Sequence, residues 1–209
     1  MNIVSYLKDI YGYGTPIFLK DIRIGRKSKT AIRKELSRAV KENQIIRESQ
    51  GVYFFKDNHK EFPKIISFED IVEKRYIKDD CGFPGFDLLR YGYYSGLTFL
   101  NHIGISQQVP AVLEITTNKT SCKRMINING RRAIIRKAKT EINYQNWKIL
   151  QFLEMFYLLD KDDVQENKDL LVKYIERNFL KIDFTNYIKY FSNKIMKLIV
   201  EGGLIYAFR

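Results

Sequence analysis

The spacing of apolar positions changes several times along the chain, and each change predicts an element. Val4, Leu7 and Ile10 recur every three residues, predicting a helix from Asn2 to Tyr11 that the run YGYG ends. Pro16 is suited to opening a short second helix through Phe18, Leu19 and Ile22. After a basic turn around Gly25 comes KSKTAIRKELSRAVKEN (Lys27–Asn43). On a 3.6-residue wheel it gathers Ile32, Leu36, Ala39 and Val40 on one side. The runs IIRE and GVYFF flank Ser49, Gln50 and Gly51, are β-branched and aromatic, and predict a two-stranded hairpin. The order helix, helix, helix, hairpin is that of a winged helix-turn-helix, here expected over residues 1–58.

Residues 56–63 (KDNHKEFP) are polar and end in proline, as a linker does, and a second domain is expected over 64–209. Ser67 is placed to cap a helix whose apolar side is Phe68, Ile71, Val72 and Ile77. The stretch DDCGFPGFD (79–87) is turn-rich, and YYSGLTFLNHIGI then predicts a short helix closed by Gly104. AVLEITT, RMINI and RRAIIRK alternate as strands. Later stretches (146–159, 170–180, 187–200) have helical spacing and lead to a strand-like LIYAF. The expected fold class is therefore α+β: an N-terminal winged helix-turn-helix domain followed by a C-terminal mixed α/β domain with a small sheet and several helices.

Charge changes how the basic helix reads. The chain carries 36 Lys and Arg against 24 Asp and Glu, a net +12 that favours a polyanionic partner. From Lys20 to Arg47 only Asp21, Glu35 and Glu42 oppose the basic residues. A charged outer face alone is what any surface helix shows. This one mixes hydroxyls with cations, so it can offer both base-edge and phosphate contacts. It also precedes a hairpin, as a recognition helix does. The expected DNA-binding residues are Lys27, Lys29, Thr30, Arg33, Lys34, Ser37, Arg38 and Lys41, with Arg47 and Lys56 as hairpin contacts. A second cluster without an intervening acid runs from Lys119 to Lys139. Its Lys123, Arg124, Arg131, Arg132, Arg136 and Lys137 read either as a surface for nucleic acid or a protein partner, or as edge-strand charges that deter aggregation.

Little in the sequence points to catalysis. Two cysteines (Cys81, Cys122) and two histidines (His59, His102) are too few and too scattered for a zinc site, and they suit reduced thiols in a cytoplasm. No metal or cofactor is expected. No apolar run reaches the ~18 residues of a spanning helix. A magnesium-dependent nuclease of the PD-(D/E)xK type would need two carboxylates and a lysine. Asp87 and Glu114 are conceivable, but Thr116 stands where the lysine belongs.

The chain also resembles the AbiEi-like family, the antitoxin component of type IV toxin–antitoxin and abortive-infection systems. The matching elements are G-Y-x-S-G at Gly92–Gly96, Asn101–Gly104, and Q-V-P at Gln108–Pro110 leading to a strand with T-N. In the first domain they are G-x-P-I-F-x-x-D-I at Gly14–Ile22 and R-x-x-x-G-V-Y at Arg47–Tyr53. The resemblance implies a winged helix that represses its own operon at promoter inverted repeats. It also implies a C-terminal domain that neutralises a nucleotidyltransferase-like toxin without requiring a stable complex. An inverted repeat calls for two copies on the double-stranded DNA. A stand-alone regulator with no toxin partner is the rival reading.

Overall fold

The computed structural model describes residues 2–57, 61, 63, 65–79 and 89–208. His59, Cys81, Asp87, residues 58–60 and 62 of the expected linker, and residues 80–87 of the turn-rich stretch lie outside them. The chain is α+β and divides into two compact units. One comprises described residues up to Arg75; the other comprises Tyr76–Asp79 and the described residues from Leu89 on. The seam thus falls after Arg75, within the span that the sequence assigned to the second domain.

In the first unit, α1 (Ile3–Tyr11) starts where the Asn2 side chain accepts from Val4 N at 2.9 Å, and buries Ile3 and Leu7. The expected second helix is absent. Ile17 and Phe18 form β1 (Ile17–Phe18), opposite Tyr53 and Val52 of β3 (Val52–Phe54). So short a helix yields few bonds for a costly nucleus, whereas an open strand edge offers these β-forming residues a ladder at once. Flanking bonds from Gly14 N to Phe55 O and from Leu19 N to Gly51 O extend the attachment. The basic helix, α2 (Lys29–Lys41), is therefore the second helix of the unit and not the third. Ser28 caps it by accepting from Ala31 N at 3.2 Å.

β2 (Ile46–Ser49) completes a sheet of order β1-β3-β2, antiparallel throughout. Ile32, Leu36 and Ala39 of α2 pack into one core with Leu7, Ile17, Ile22, Ile45 and Tyr53. α3 (Phe68–Tyr76) follows, with Ser67 and Asp70 exchanging reciprocal capping bonds as Ser67 predicts.

In the second unit, β4 (Lys78–Asp79) pairs with β5 (Leu89–Arg90) as a short ribbon. β6 (Gly92–Tyr94), β7 (Val112–Thr117), β8 (Arg124–Ile128) and β9 (Arg131–Lys137) form a sheet of order β6-β7-β9-β8. Only the β7–β9 pairing is parallel. β8 turns into β9 through Asn129 (φ 51°) and Gly130 (φ 83°), a two-residue turn with both central residues left-handed, as a strand pair of natural twist needs. β9 buries Ala133 and Ile135 on one face. α4 (Gly96–His102) joins β6 to β7 and ends at Gly104.

Gly92 admits no side chain, because a Cβ there would lie 2.0 Å from Tyr76 O and 2.9 Å from Thr116 O. Gly92→Ala is therefore expected to cost ~1–3 kcal/mol or more of stability, read as a lower urea midpoint.

Helices build the rest: α5 (Trp147–Met155), α6 (Lys161–Glu166), α7 (Lys168–Asn178), α8 (Lys181–Tyr187) and α9 (Asn193–Glu201). The strand-like LIYAF is instead a 3-10 turn (Leu204–Ala207) after left-handed Gly203. Leu204, Ala207 and Phe208 pack in the helical core with Phe152, Leu171 and Ile199, so burial among helices decides their conformation.

Candidate nucleic-acid interface

α2 separates its residues by face. Ile32, Leu36 and Ala39 are buried, while Lys29, Thr30, Arg33, Lys34, Ser37, Arg38 and Lys41 are exposed. Among the described residues, Arg33, Lys34, Arg38 and Lys41 have no ion-pair partner. No described acid neutralises their charge, so it is available to attract a phosphate, subject to screening by salt. Lys27 differs: its ammonium donates to both oxygens of Glu35 at 2.7 and 2.8 Å. It lies at the edge of the exposed face with its charge already paired.

The hairpin tip is Gln50–Gly51, and Arg47 is not at it. Arg47 sits across from Tyr53, with its Nε donating to Ser49 O at 3.4 Å. It shares a concavity with Lys56, Val40 and Asn43, beside the C-terminal end of α2. Gln50 and Gly51 share a concavity with Lys29 and Arg33 and with two cations that sequence spacing does not single out, Lys20 and Arg75.

The second basic cluster divides. Lys123, Arg124, Arg131, Arg132 and Lys137 are exposed on the β8–β9 ribbon, where β8 is an edge of the sheet. Arg124 Nη2 also donates to Tyr76 OH at 3.3 Å. Arg136 does not belong with them. It is half-buried and ion-paired to Glu114, whose carboxylate also accepts from Leu97 N at 3.2 Å. Glu114, one of the two carboxylates considered for a nuclease, thus has an arginine as its counter-ion. Among the described residues no group of three His, Cys, Asp or Glu is placed to hold a metal ion.

A buried polar network ties α5 to the sheet. Glu154 accepts from Tyr93 OH at 2.7 Å and Thr116 OH at 2.9 Å, and Thr116 Oγ1, its own proton thus used, accepts from Ser95 Oγ at 3.1 Å. Burial raises the Glu154 carboxyl above its ordinary 4.5, against the opposing pull of those two hydroxyls and of Arg136 and Lys139. Because the folded state then binds the proton more tightly than the unfolded chain, this carboxyl's contribution to stability is fully present below 4.5. It is lost as pH rises through the elevated value. Glu154→Gln cannot titrate. The gap in unfolding free energy between wild type and E154Q is therefore expected to move against wild type as urea titrations go from pH 4 to 7, and a gap constant with pH would contradict this.

No helix among the described residues is long and apolar enough to cross a membrane. The fold and the exposed face of α2 define the molecule as a two-unit α+β protein with a cationic helix beside a β-hairpin. Compared with known proteins, the chain matches no family model and no curated protein. The family resemblance therefore rests on the motifs in residues 14–53 and 92–118.

Proposed function

We propose that this protein is a DNA-binding transcriptional regulator. Its first unit acts as a winged helix, α2 enters the major groove and the β2–β3 hairpin serves as the wing. The observation that carries this reading is the exposed face of α2, on which Arg33, Lys34, Arg38 and Lys41 stand beside Thr30 and Ser37 with no ion-pair partner among the described residues. Hydroxyls and guanidinium groups read base edges, lysines hold phosphate, and the buried opposite face anchors the helix. In place of the second helix, β1 and the turn after it bond to the hairpin, and Tyr53 of the hairpin packs in one core with Ile32, Leu36 and Ala39 of α2.

The resemblance of Gly92–Gly96, Gln108–Pro110 and the first-unit motifs supports a narrower role: cytoplasmic autorepressor and antitoxin of a type IV toxin–antitoxin system. In that role two copies occupy a promoter inverted repeat, and the second unit counteracts a nucleotidyltransferase-like toxin without a stable complex. The exposed cations of β8–β9 are the surface offered for that second task or for further DNA contact.

Co-expression tests the antitoxin role. The full chain is expected to restore growth of cells expressing the product of the adjacent gene. A neighbour that encodes no nucleotidyltransferase-like protein would leave the stand-alone regulator.

A further inference from the structure

The sheet of the second unit ends on β8, and that edge is open. On one side β8 pairs with β9, from Arg124 opposite Ile135 to Ile128 opposite Arg131. On the other side no backbone group of Arg124–Ile128 has a hydrogen-bond partner among the described residues. Sheet edges are ordinarily guarded by charges set along them. Here the cations stand at one end: Lys123 and Arg124 precede Met125, Ile126, Asn127 and Ile128, none of which is charged. Met125 is 57 % exposed. Register places Met125 opposite Ile134 and Asn127 opposite Arg132, so these four share one face of the ribbon. Lys123 and Arg132 are exposed and have no acid partner among the described residues. The edge thus offers unpaired amides and carbonyls beside an exposed apolar side chain, with cations at its start and behind it.

Nucleic acid fits this edge poorly. Most of the strand is uncharged, and from Arg124 to Lys137 there is no aromatic ring on which a base could stack. A second copy of the chain also fits poorly. Antiparallel two-fold pairing would bring Lys123 and Arg124 of one copy to the Ile128 end of the other, near Arg132, and two chains of net +12 repel.

We propose that the β8 edge binds an extended acidic segment of a partner protein by strand addition. This rests on reading the β8–β9 cations as a partner surface and is independent of the DNA reading of α2. The added strand continues the ladder through its main chain, which supplies affinity. An apolar side chain on it meets Met125, and carboxylates flanking that side chain lie near Lys123 and Arg132, which sets the preference for acidic sequences.

The test uses the isotope-labelled full chain with two capped peptides, EEVTVTVEE and KKVTVTVKK, and with a duplex of unrelated sequence. EEVTVTVEE is expected to shift the amide resonances of Arg124–Ile128 and slow their hydrogen exchange, saturably and less strongly as salt rises. Met125→Glu should weaken this binding by about 2- to 5-fold, as like charges opposed across strands do. The same variant should bind the gene's upstream duplex as wild type does, so failure of the β8 edge and failure of the α2 reading are seen separately. No shift of the β8 amides by EEVTVTVEE, or equal shifts by KKVTVTVKK, would overturn the proposal. Shifts of the β8 amides by the unrelated duplex that EEVTVTVEE does not reverse would overturn it in favour of nucleic acid. A dimer in sedimentation that Met125→Glu dissociates would overturn it in favour of a second copy.

Discussion

Replacing Arg33, Lys34 and Arg38 together with glutamate is expected to abolish binding to the upstream duplex, a loss of at least ~10³-fold at 0.1 M salt. Each of the three is exposed, and none contributes to the core of the first unit. The reversal removes three cations that have no ion-pair partner among the described residues. It places three carboxylates where the duplex presents phosphates, so contact is replaced by repulsion. Thermal unfolding should change little. The largest expected penalty is at position 38, where a carboxylate in the last turn opposes the helix dipole by ~0.3–1 kcal/mol. A triple variant that is folded by circular dichroism and binds as wild type does would show that α2 is an ordinary solvated helix.

The largest effect on stability is expected from Phe152→Ala. Phe152 is 0 % exposed at the centre of the helical core. Its ring lies 5.3 Å from Phe156, 5.2 Å from Phe179 and 6.4 Å from Phe208, and it stacks on Tyr174 at 5.6 Å with 8° between the planes. Four aromatic neighbours, one at the end of α5, two from α7 and its end, and one after the final turn, cannot all collapse into the space left, so both the transfer and the cavity contributions apply. The expected cost is ~3–5 kcal/mol, a substantial part of what holds a domain of this size folded. Urea unfolding measures it, and a cost below ~1 kcal/mol would mean that the ring cluster is not packed as described.

These two effects also mark what could be read from the sequence. The exposed face of α2 and the strand character of β7 and β9 follow from local period alone. So does the Ser67 cap, since its partner is three residues away. The β1 segment has a helix's local pattern, but its conformation is set by β3, more than thirty residues later. LIYAF has a strand's composition, yet the helices around Leu204 and Ala207 decide its form.

The same limit applies to the candidate sites. Arg136 looks like one of a row of surface cations until Glu114, which alternation along its own strand does not mark, folds beside it. Lys20 and Arg75 lie far apart in sequence, yet both stand over the ring of Phe18. The Glu154 network joins residues 61 and 38 positions apart, beyond the reach of any spacing rule.

The most direct test of the central claim is a salt series of anisotropy titrations of the wild-type chain on the duplex upstream of its own gene. With Arg33, Lys34, Arg38 and Lys41 facing the duplex, the logarithm of the binding constant should fall linearly with the logarithm of salt. The slope should be at least about −3, near −0.9 for each phosphate neutralised. Binding should also be tighter on that duplex than on one of scrambled sequence. No binding at 50 mM salt, or a slope near zero, would contradict the assignment of α2 as the DNA-reading helix.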